Sequence, residues 1–170
     1  PTSTFVLSDP INSDFKTQIY LYKTKDDDVL VFYALNEKLC QRSLIKTSNT
    51  ETCVTVNKDK PAINYKAVQF VSSDNTLYIN TNTGLYSGAL PLTNTSELKK
   101  IHAHTIDVSP KLPMVVSKSN LFVNIGDEII KYSLLNNSLL ETVDIRTDTP
   151  DEASNETVGS MVGDKNGGLH

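Results

Sequence analysis

A pattern of short apolar segments that recurs after 44 residues restricts the fold of this chain more than any other feature. Leu77 to Asn80 corresponds to Leu121 to Asn124, and Gly84 to Leu90 corresponds to Glu128 to Leu134, in both cases 44 residues later. Four short strands in a repeat of about 40–45 residues are typical of a β-propeller blade, which buries its faces by stacking on neighbouring blades. The spacing therefore predicts blades of this kind.

Alternating apolar and polar residues, separated by turn residues, predict where the strands lie. The predicted fold is all-β, with antiparallel four-stranded meanders that form part of a β-propeller of about three blades plus the start of a fourth. The blades are predicted at 3–46, with Thr4 to Leu7 as its first strand, at 66–103 and at 112–145, with the next blade starting at 158–170. The segments 47–65 and 146–157 are polar and predict loops.

Composition supports the same fold class and excludes several functions. The 38% of hydrophobic residues suffice for a buried core, and Thr, Val, Ile, Tyr and Phe favour strands. A formal net charge of -4 and an isoelectric point near 5.3 argue against a nucleic-acid-binding protein, which is usually basic. No long uncharged apolar run is present, so the sequence predicts no membrane span.

The length of the chain is short for a complete propeller. Propellers close with typically four to eight blades, and 170 residues hold three blades and the start of another. We therefore expect a fragment or an obligate half, in which a terminal sheet has an open edge. The remainder of the propeller, a partner chain or another copy is expected to cover that edge.

The segment from Leu77 to Leu135 resembles β-propeller repeats of the WD-repeat-like and citron-homology kinds. Thr76 to Tyr86 is similar to a citron-homology blade in which a strand, a turn and Gly-Leu-Tyr follow each other, and Ile106 to Val108 with Leu112 to Tyr132 is similar to the next blade. Citron-homology propellers occur in Rho-family exchange factors and in vesicle-tethering subunits, where they bind proteins. The resemblance implies a non-catalytic scaffold in protein transport or small-GTPase signalling.

His102, His104 and Asp107 are the candidate metal ligands. Two histidines at positions i and i+2 of a strand share one face, and imidazole nitrogens bind zinc or iron. Hydrolases with an H-x-H-x-D-H pattern place the aspartate two residues after the second histidine, whereas Asp107 comes three residues after it. The sequence therefore favours an inter-blade connection with solvated imidazoles, and we predict no cofactor.

The two cysteines, Cys40 and Cys53, are too few for a tetrahedral zinc site. They form either one disulfide or two reduced, partly buried thiols, and the sequence favours the thiols. The predicted location is the cytoplasm, with the nucleus and the secretory lumen as alternatives. Three glycosylation sequons begin at Asn94, Asn136 and Asn155, but in a chain this rich in Asn, Ser and Thr such triplets also arise by chance.

Two further groups of residues have a structural and a functional interpretation. Asp26, Asp27 and Asp28 supply carboxylates that could bind calcium, although a solvated hairpin tip is favoured. Aromatic residues spread over the strands form either a binding face or, as the favoured interpretation, core packing between blades. These residues are Tyr20, Tyr22, Phe32, Tyr33, Phe70, Tyr78, Phe122 and Tyr132.

The sequence predicts a non-catalytic protein–protein interaction scaffold with a protein partner, without nucleic acid and without an enzymatic activity. The loops Thr47 to Tyr65 and Arg146 to Thr157 are the predicted contact elements, because surface loops tolerate variation and carry binding residues. The alternative is an extracellular or lumenal propeller that binds glycans or acts as an adhesin, which the sequons and the cysteine pair suggest. A metalloenzyme at His102 and His104 is the third hypothesis.

Overall fold

We describe the fold from a computed structural model. It describes residues 16–17, 19–35, 38–45, 51–55, 67–104, 114–144, 161–164, 166 and 169. Within these residues the chain forms strands and no helix, so the predicted all-β class is confirmed. In the same part of the chain, no helix is long and apolar enough to cross a membrane.

Three four-stranded antiparallel sheets follow one another along the chain. The first sheet contains β2 (Tyr20–Lys23), β3 (Val29–Leu35), β4 (Lys38–Ser43) and β5 (Thr52–Thr55). The second contains β6 (Ala67–Ser73), β7 (Thr76–Thr81), β8 (Gly84–Ala89) and β9 (Lys99–His102). The third contains β10 (Met114–Ser117), β11 (Asn120–Asn124), β12 (Glu128–Ser133) and β13 (Ser138–Asp144). A short strand, β1 (Lys16–Thr17), extends the second sheet by pairing with β6 in parallel.

The predicted repeat is confirmed in the second and third sheets. Thr76 and Asn120 begin β7 and β11, and Gly84 and Glu128 begin β8 and β12, so both pairs are separated by 44 residues. The turns that precede β7 and β11 contain residues with positive φ, such as Asn75 at 63° and Lys118 at 51°. Tight two-residue hairpin turns require this conformation.

The prediction for the first sheet is wrong at its fourth strand. β5 lies inside 47–65, which was predicted as a polar loop, and it pairs with β4 in the register Leu39 to Val54. Threonine is polar yet favours strands, and Val54 is buried, so Thr52–Thr55 suits an edge strand better than a loop. The expected first strand, Thr4 to Leu7, and the loop 146–157 lie outside the described residues.

The prediction of two free thiols is also wrong. Cys40 and Cys53 are register partners on β4 and β5, with their Cα atoms 4.1 Å apart, and their sulfurs form a disulfide. The sequence did not reveal this pairing because β5 was not recognised as a strand. Beside the disulfide, Tyr33 donates a hydrogen bond to the Glu51 carboxylate. Burial and this contact raise the pKa of Tyr33.

The three sheets stack in chain order, and the second sheet lies in the middle. Its Leu77 and Ile79 face the first sheet, whereas Tyr78 and Leu85 face the third. The first core cluster contains Leu30, Phe32, Ala34, Leu39 and Val54 of the first sheet with Phe70, Leu77, Ile79, Tyr86 and Leu92. The second contains Tyr78, Leu85, Leu121, Val123, Ile130 and Tyr132. Both faces of the middle sheet are therefore covered.

The first strands of the three sheets lie next to one another. β6 contacts both β2 and β10. The Tyr20 hydroxyl is 2.8 Å from the Ser72 hydroxyl, and the Tyr22 hydroxyl donates to Asn75 Oδ1 at 2.9 Å. These contacts join β2 to the start of the β6–β7 turn, so the sheets meet along their first strands.

The first and second sheets are also aligned, so that their corresponding ends lie side by side. Gln41, near the end of β4, accepts a hydrogen bond from Leu92 N at 2.7 Å in the loop between β8 and β9. Tyr22 contacts the β6–β7 turn at the same end. We call this end, which holds the turns between strands one and two and the loops between strands three and four, the loop end. The opposite end, with the β7–β8 and β11–β12 turns, is the hairpin end.

The expected fourth blade is described only in part. Gly163 and Leu169 form an isolated antiparallel bridge around a turn at Asn166, as predicted for the turn. Met161 and Val162 are not in a strand, and 158–160 lie outside the described residues. Ser117 Oγ donates to Asp164 O at 2.7 Å, so this segment lies against the third sheet. No ring closure is seen within the described residues.

Candidate functional site

The hairpin end gathers polar side chains from the second and third sheets. It includes Asn82 and Thr83 in the β7–β8 turn, Gly126 and Asp127 in the β11–β12 turn, and the end of β9 at His102. Glu128 is close enough to His102 to act on its charge, which brings the two hairpin turns to the same side. The strands and turns of the two sheets therefore position these groups at one end.

Gly84 allows β9 to approach the hairpin closely. Its φ is 149°, and a Cβ atom there would lie 2.5 Å from the backbone oxygen of His102. A larger residue would push β9 away, because that oxygen belongs to the backbone and cannot rotate aside. The glycine therefore fixes His102 beside Leu85, its register partner.

A chain of hydroxyl groups orders the hairpin turn. Thr81 Oγ1 donates to Gly84 O at 2.9 Å and accepts from Thr83 N at 3.2 Å. Thr83 Oγ1 lies 3.3 Å from the Tyr86 hydroxyl. The Lys100 ammonium lies 5.3 Å from the centre of the Tyr86 ring, in the range of a cation–π contact. The exposed positive charge of Lys100 is thus held at this end.

The two histidines lie next to each other, with ring centres 5.9 Å apart. His104 Nε2 is 2.8 Å from the backbone oxygen of Thr81, which can only accept, so Nε2 carries the proton. His104 Nδ1 is then an acceptor; it is buried, and the described residues provide no partner for it.

Burial lowers the pKa of both imidazoles. For His102 the effect of burial is partly opposed by the negative charge of Glu128. For His104 burial is opposed by the hydrogen bond to Thr81, while His102 and Lys100 lower the pKa further. Both imidazoles are partly buried, where the sequence favours solvated rings, and burial shifts each of them towards the neutral form.

Within the described residues, the two histidines are not part of a group of three metal-ligand residues. Asp107 lies outside the described residues, and His104 Nε2 is already engaged by Thr81. Within the described part of the chain, the group of three ligand-type residues that lie within reach of one another is Cys40, Glu51 and Cys53. The two sulfurs of that group are bonded to each other, so they are not metal ligands in this state.

Two buried asparagines mark the hairpin end and were not predicted as functional. Asn80 and Asn124 are fully buried and stand 44 residues apart, at the ends of β7 and β11. Asn80 Nδ2 donates to Gln69 Oε1 at 3.3 Å, and Asn124 Oδ1 accepts from Gly126 N at 3.1 Å. Within the described residues, Asn80 Oδ1 and Asn124 Nδ2 have no partner. The aligned asparagines in the repeat were the available sequence signal.

The acidic run lies at the other end, in the β2–β3 turn. Asp26 and Asp27 are exposed, as predicted for a hairpin tip, and Asp27 pairs with Lys23 at 2.7 Å. Asp28 is buried, so the prediction of a solvated residue is wrong there. Its Oδ1 accepts from Val29 N at 2.8 Å and from Ser43 Oγ at 2.7 Å, which ties the turn to β4.

Most of the aromatic residues pack in the core, as the favoured interpretation predicted. Phe32 and Phe70 lie between the first and second sheets, and Tyr78 and Tyr132 lie between the second and third. Tyr20 and Tyr22 are partly buried against the first of these clusters. Tyr33 packs with the disulfide, and Phe122 is buried beneath the Lys131 ammonium, 6.0 Å from its ring centre.

Two comparisons with known proteins found no match for this chain. No protein-family model matches the chain, and no curated protein matches it. The resemblance to WD-repeat-like and citron-homology propellers therefore stays a prediction.

Proposed function

We propose that this chain is a non-catalytic protein–protein interaction scaffold, built as successive blades of a β-propeller, which binds its partner through the hairpin end. The observation that supports this end is that three buried side-chain atoms there have no hydrogen-bond partner among the described residues. Asn80 Oδ1, Asn124 Nδ2 and His104 Nδ1 all lie at this end, and none has a hydrogen-bond partner within the described residues. Such groups are rare in folded proteins, because leaving one unpaired costs about 1–3 kcal/mol.

The propeller arrangement is supported by the way in which the sheets meet. Three consecutive meanders stack face to face in chain order, and β6 lies beside both β2 and β10. A propeller places the first strand of each blade nearest the central axis, so neighbouring first strands are expected to be close. The Tyr20 to Ser72 contact between β2 and β6 agrees with this geometry.

A protein partner suits the chemistry of the hairpin end. Lys100 provides an exposed cation, and Asp127 provides an exposed carboxylate on the neighbouring turn. Groups of both signs at one end favour a partner with complementary charges.

Site-specific photo-crosslinking in the native cells tests this proposal. A photoreactive amino acid replaces Thr83 or Asp127 at the hairpin end, and Asp26 or Leu135 at the loop end provides the matched control. We expect one discrete protein adduct from the hairpin positions and none from the loop positions. Adducts from the loop end, or no adduct from the hairpin end of folded protein, would refute the proposal.

The second candidate, an extracellular or lumenal propeller that binds glycans or acts as an adhesin, is favoured by the Cys40–Cys53 disulfide. Disulfides persist in oxidising compartments and are rare in the cytosol, where thiols are kept reduced. Alkylation of the native protein before and after reduction distinguishes the compartments. Cysteines that react only after reduction favour this candidate, and cysteines that react at once favour the cytoplasmic scaffold.

A further inference from the structure

The loop end carries two N-glycosylation sequons in the same type of connection of successive sheets. Asn94-Thr95-Ser96 lies between β8 and β9, and Asn136-Asn137-Ser138 runs from the connection after β12 into the first residue of β13. Both are connections between strands three and four. The third sequon, which begins at Asn155, lies outside the described residues.

The first sequon lies on an exposed turn. Ser96 N donates to Thr93 O at 3.0 Å, and Thr93 N donates to Ser96 Oγ at 2.8 Å, so Asn94 is in the middle of a closed turn. Asn94 and Thr95 are exposed. An attached sugar would therefore extend into solvent.

The second sequon is equally exposed. Asn136 and Asn137 are exposed, and Asn137 has a positive φ of 52°. Ser138 Oγ donates to Asn136 Oδ1 at 2.8 Å, so the hydroxyl that the transferase requires already lies beside the acceptor amide.

The disulfide indicates the secretory pathway as the compartment, and the alignment of the sheets places both sequons at the same end. N-glycans are added in the oxidising secretory pathway, where Cys40 and Cys53 would be joined. Strands β8 and β12 both run away from the hairpin turns, so both sequons lie at the end opposite His102 and Glu128.

We propose that Asn94 and Asn136 carry N-linked glycans that cover the loop end and leave the hairpin end bare. In the modification, Asn Nδ2 forms a bond to the anomeric carbon of a lipid-linked oligosaccharide diphosphate. The bond from that carbon to the diphosphate oxygen breaks, the lipid diphosphate leaves with the electron pair, and a base of the transferase takes the amide proton. The proposal rests on the extracellular or lumenal location that the disulfide favours, and it does not depend on which partner binds the hairpin end.

Mass spectrometry of the native protein tests the proposal. Peptide-N-glycosidase F in ¹⁸O-water converts each glycosylated asparagine to an ¹⁸O-labelled aspartate. We expect the label at Asn94 and Asn136. Unlabelled asparagines at both positions would overturn the proposal, and the crosslinks from Thr83 and Asp127 would be unaffected by that outcome.

Matched variants locate each glycan. In an Asn155→Gln background, the chain is secreted from cultured animal cells behind a cleavable signal peptide. Asn94→Gln and Asn136→Gln should each increase the gel mobility by the step that corresponds to the loss of one glycan, and Ser138→Ala should act like Asn136→Gln. Asn137→Gln keeps the sequon and should leave the gel mobility unchanged. Equal mobility of Asn136→Gln and Asn137→Gln would contradict the assignment of Asn136.

Discussion

Leu85 in the second sheet and Ile129 in the third occupy the same position of the repeat, yet they differ in burial. Leu85 is fully buried because it faces the third sheet, whereas Ile129 is half-buried on the face of the third sheet that points away from the second. Beside Ile129, its register partner Val143 is 46% exposed. At this position of the repeat, burial therefore depends on whether a neighbouring sheet covers the side chain.

The largest effect on the free energy of unfolding is expected from truncation of a core side chain in the middle sheet. Leu85→Ala should cost about 2–5 kcal/mol of the free energy of unfolding, as is usual for a buried leucine. Ile129→Ala removes a similar side chain from a half-covered face and should cost about 1–2 kcal/mol. Urea denaturation of both variants measures the difference. Equal losses would show that the outer face of the third sheet is as well covered as the middle sheet.

The first sheet differs from the third because a disulfide holds its fourth strand. Cys40 and Cys53 are separated by 13 residues, and a loop of this size gives about 3 kcal/mol of stabilisation in the chain-entropy account. The double variant Cys40→Ala with Cys53→Ala should lose about that amount, and dithiothreitol should lower the stability of the wild type but not of the variant. Full stability of the wild type with both thiols alkylated would exclude a structural role for the disulfide.

The contact between the first and second sheets gives the next effect. Gln41 Oε1 accepts from Leu92 N at 2.7 Å, and its Nε2 is 3.4 Å from Leu92 O. Gln41→Met keeps the size of the side chain but leaves two buried backbone groups unpaired, at a cost of about 1–3 kcal/mol. Lys38→Met on the exposed part of β4 is the control and should change stability by less than about 0.5 kcal/mol. Similar losses for both variants would contradict the role of Gln41.

The smallest effect on stability is expected from a change of pH, through the two histidines at the hairpin end. The pKa of His102 and His104 is lowered by burial from 6.5 in the unfolded chain, so the unfolded state binds protons more readily. Stability should be unaffected by these groups above pH 6.5 and should fall as the pH decreases below it. The double variant His102→Gln with His104→Gln should show a weaker decrease between pH 8 and pH 5 in urea denaturation. An unchanged decrease would show that other groups cause it.

The repeat in the sequence predicted the second and third sheets, but not the features that depend on strand pairing within the first sheet. β7 and β11 were recognised because their apolar residues alternate and their turns are rich in Asn and Gly. β5 was missed because Thr52–Thr55 is polar, although threonine favours strands, and the disulfide was missed with it. The burial of Asp28 depends on Ser43, which the sequence places far from the turn.

The candidate site was predicted only in part, for a related reason. His102 and His104 stood out as chemistry-bearing residues, and the structure brings them together at one end of the second sheet. Their lowered pKa depends on burial, and burial depends on how the strands pack. Asn80 and Asn124 are ordinary turn residues by composition, and each lies at the end of a buried strand, where one of its amide atoms has no partner among the described residues.

The alignment of the second and third sheets, with the β7–β8 and β11–β12 turns at the same end, is the central claim, because both the binding end and the glycan end depend on it. Spin labels on Thr83→Cys with Asp127→Cys, and on Thr83→Cys with Leu135→Cys, test it by double electron–electron resonance. The native cysteines are joined and do not react. Neighbouring sheets are about 10 Å apart and a six-residue strand is about 20 Å long. The first pair should therefore give the clearly shorter distance, and an equal or longer distance for the first pair would contradict the account.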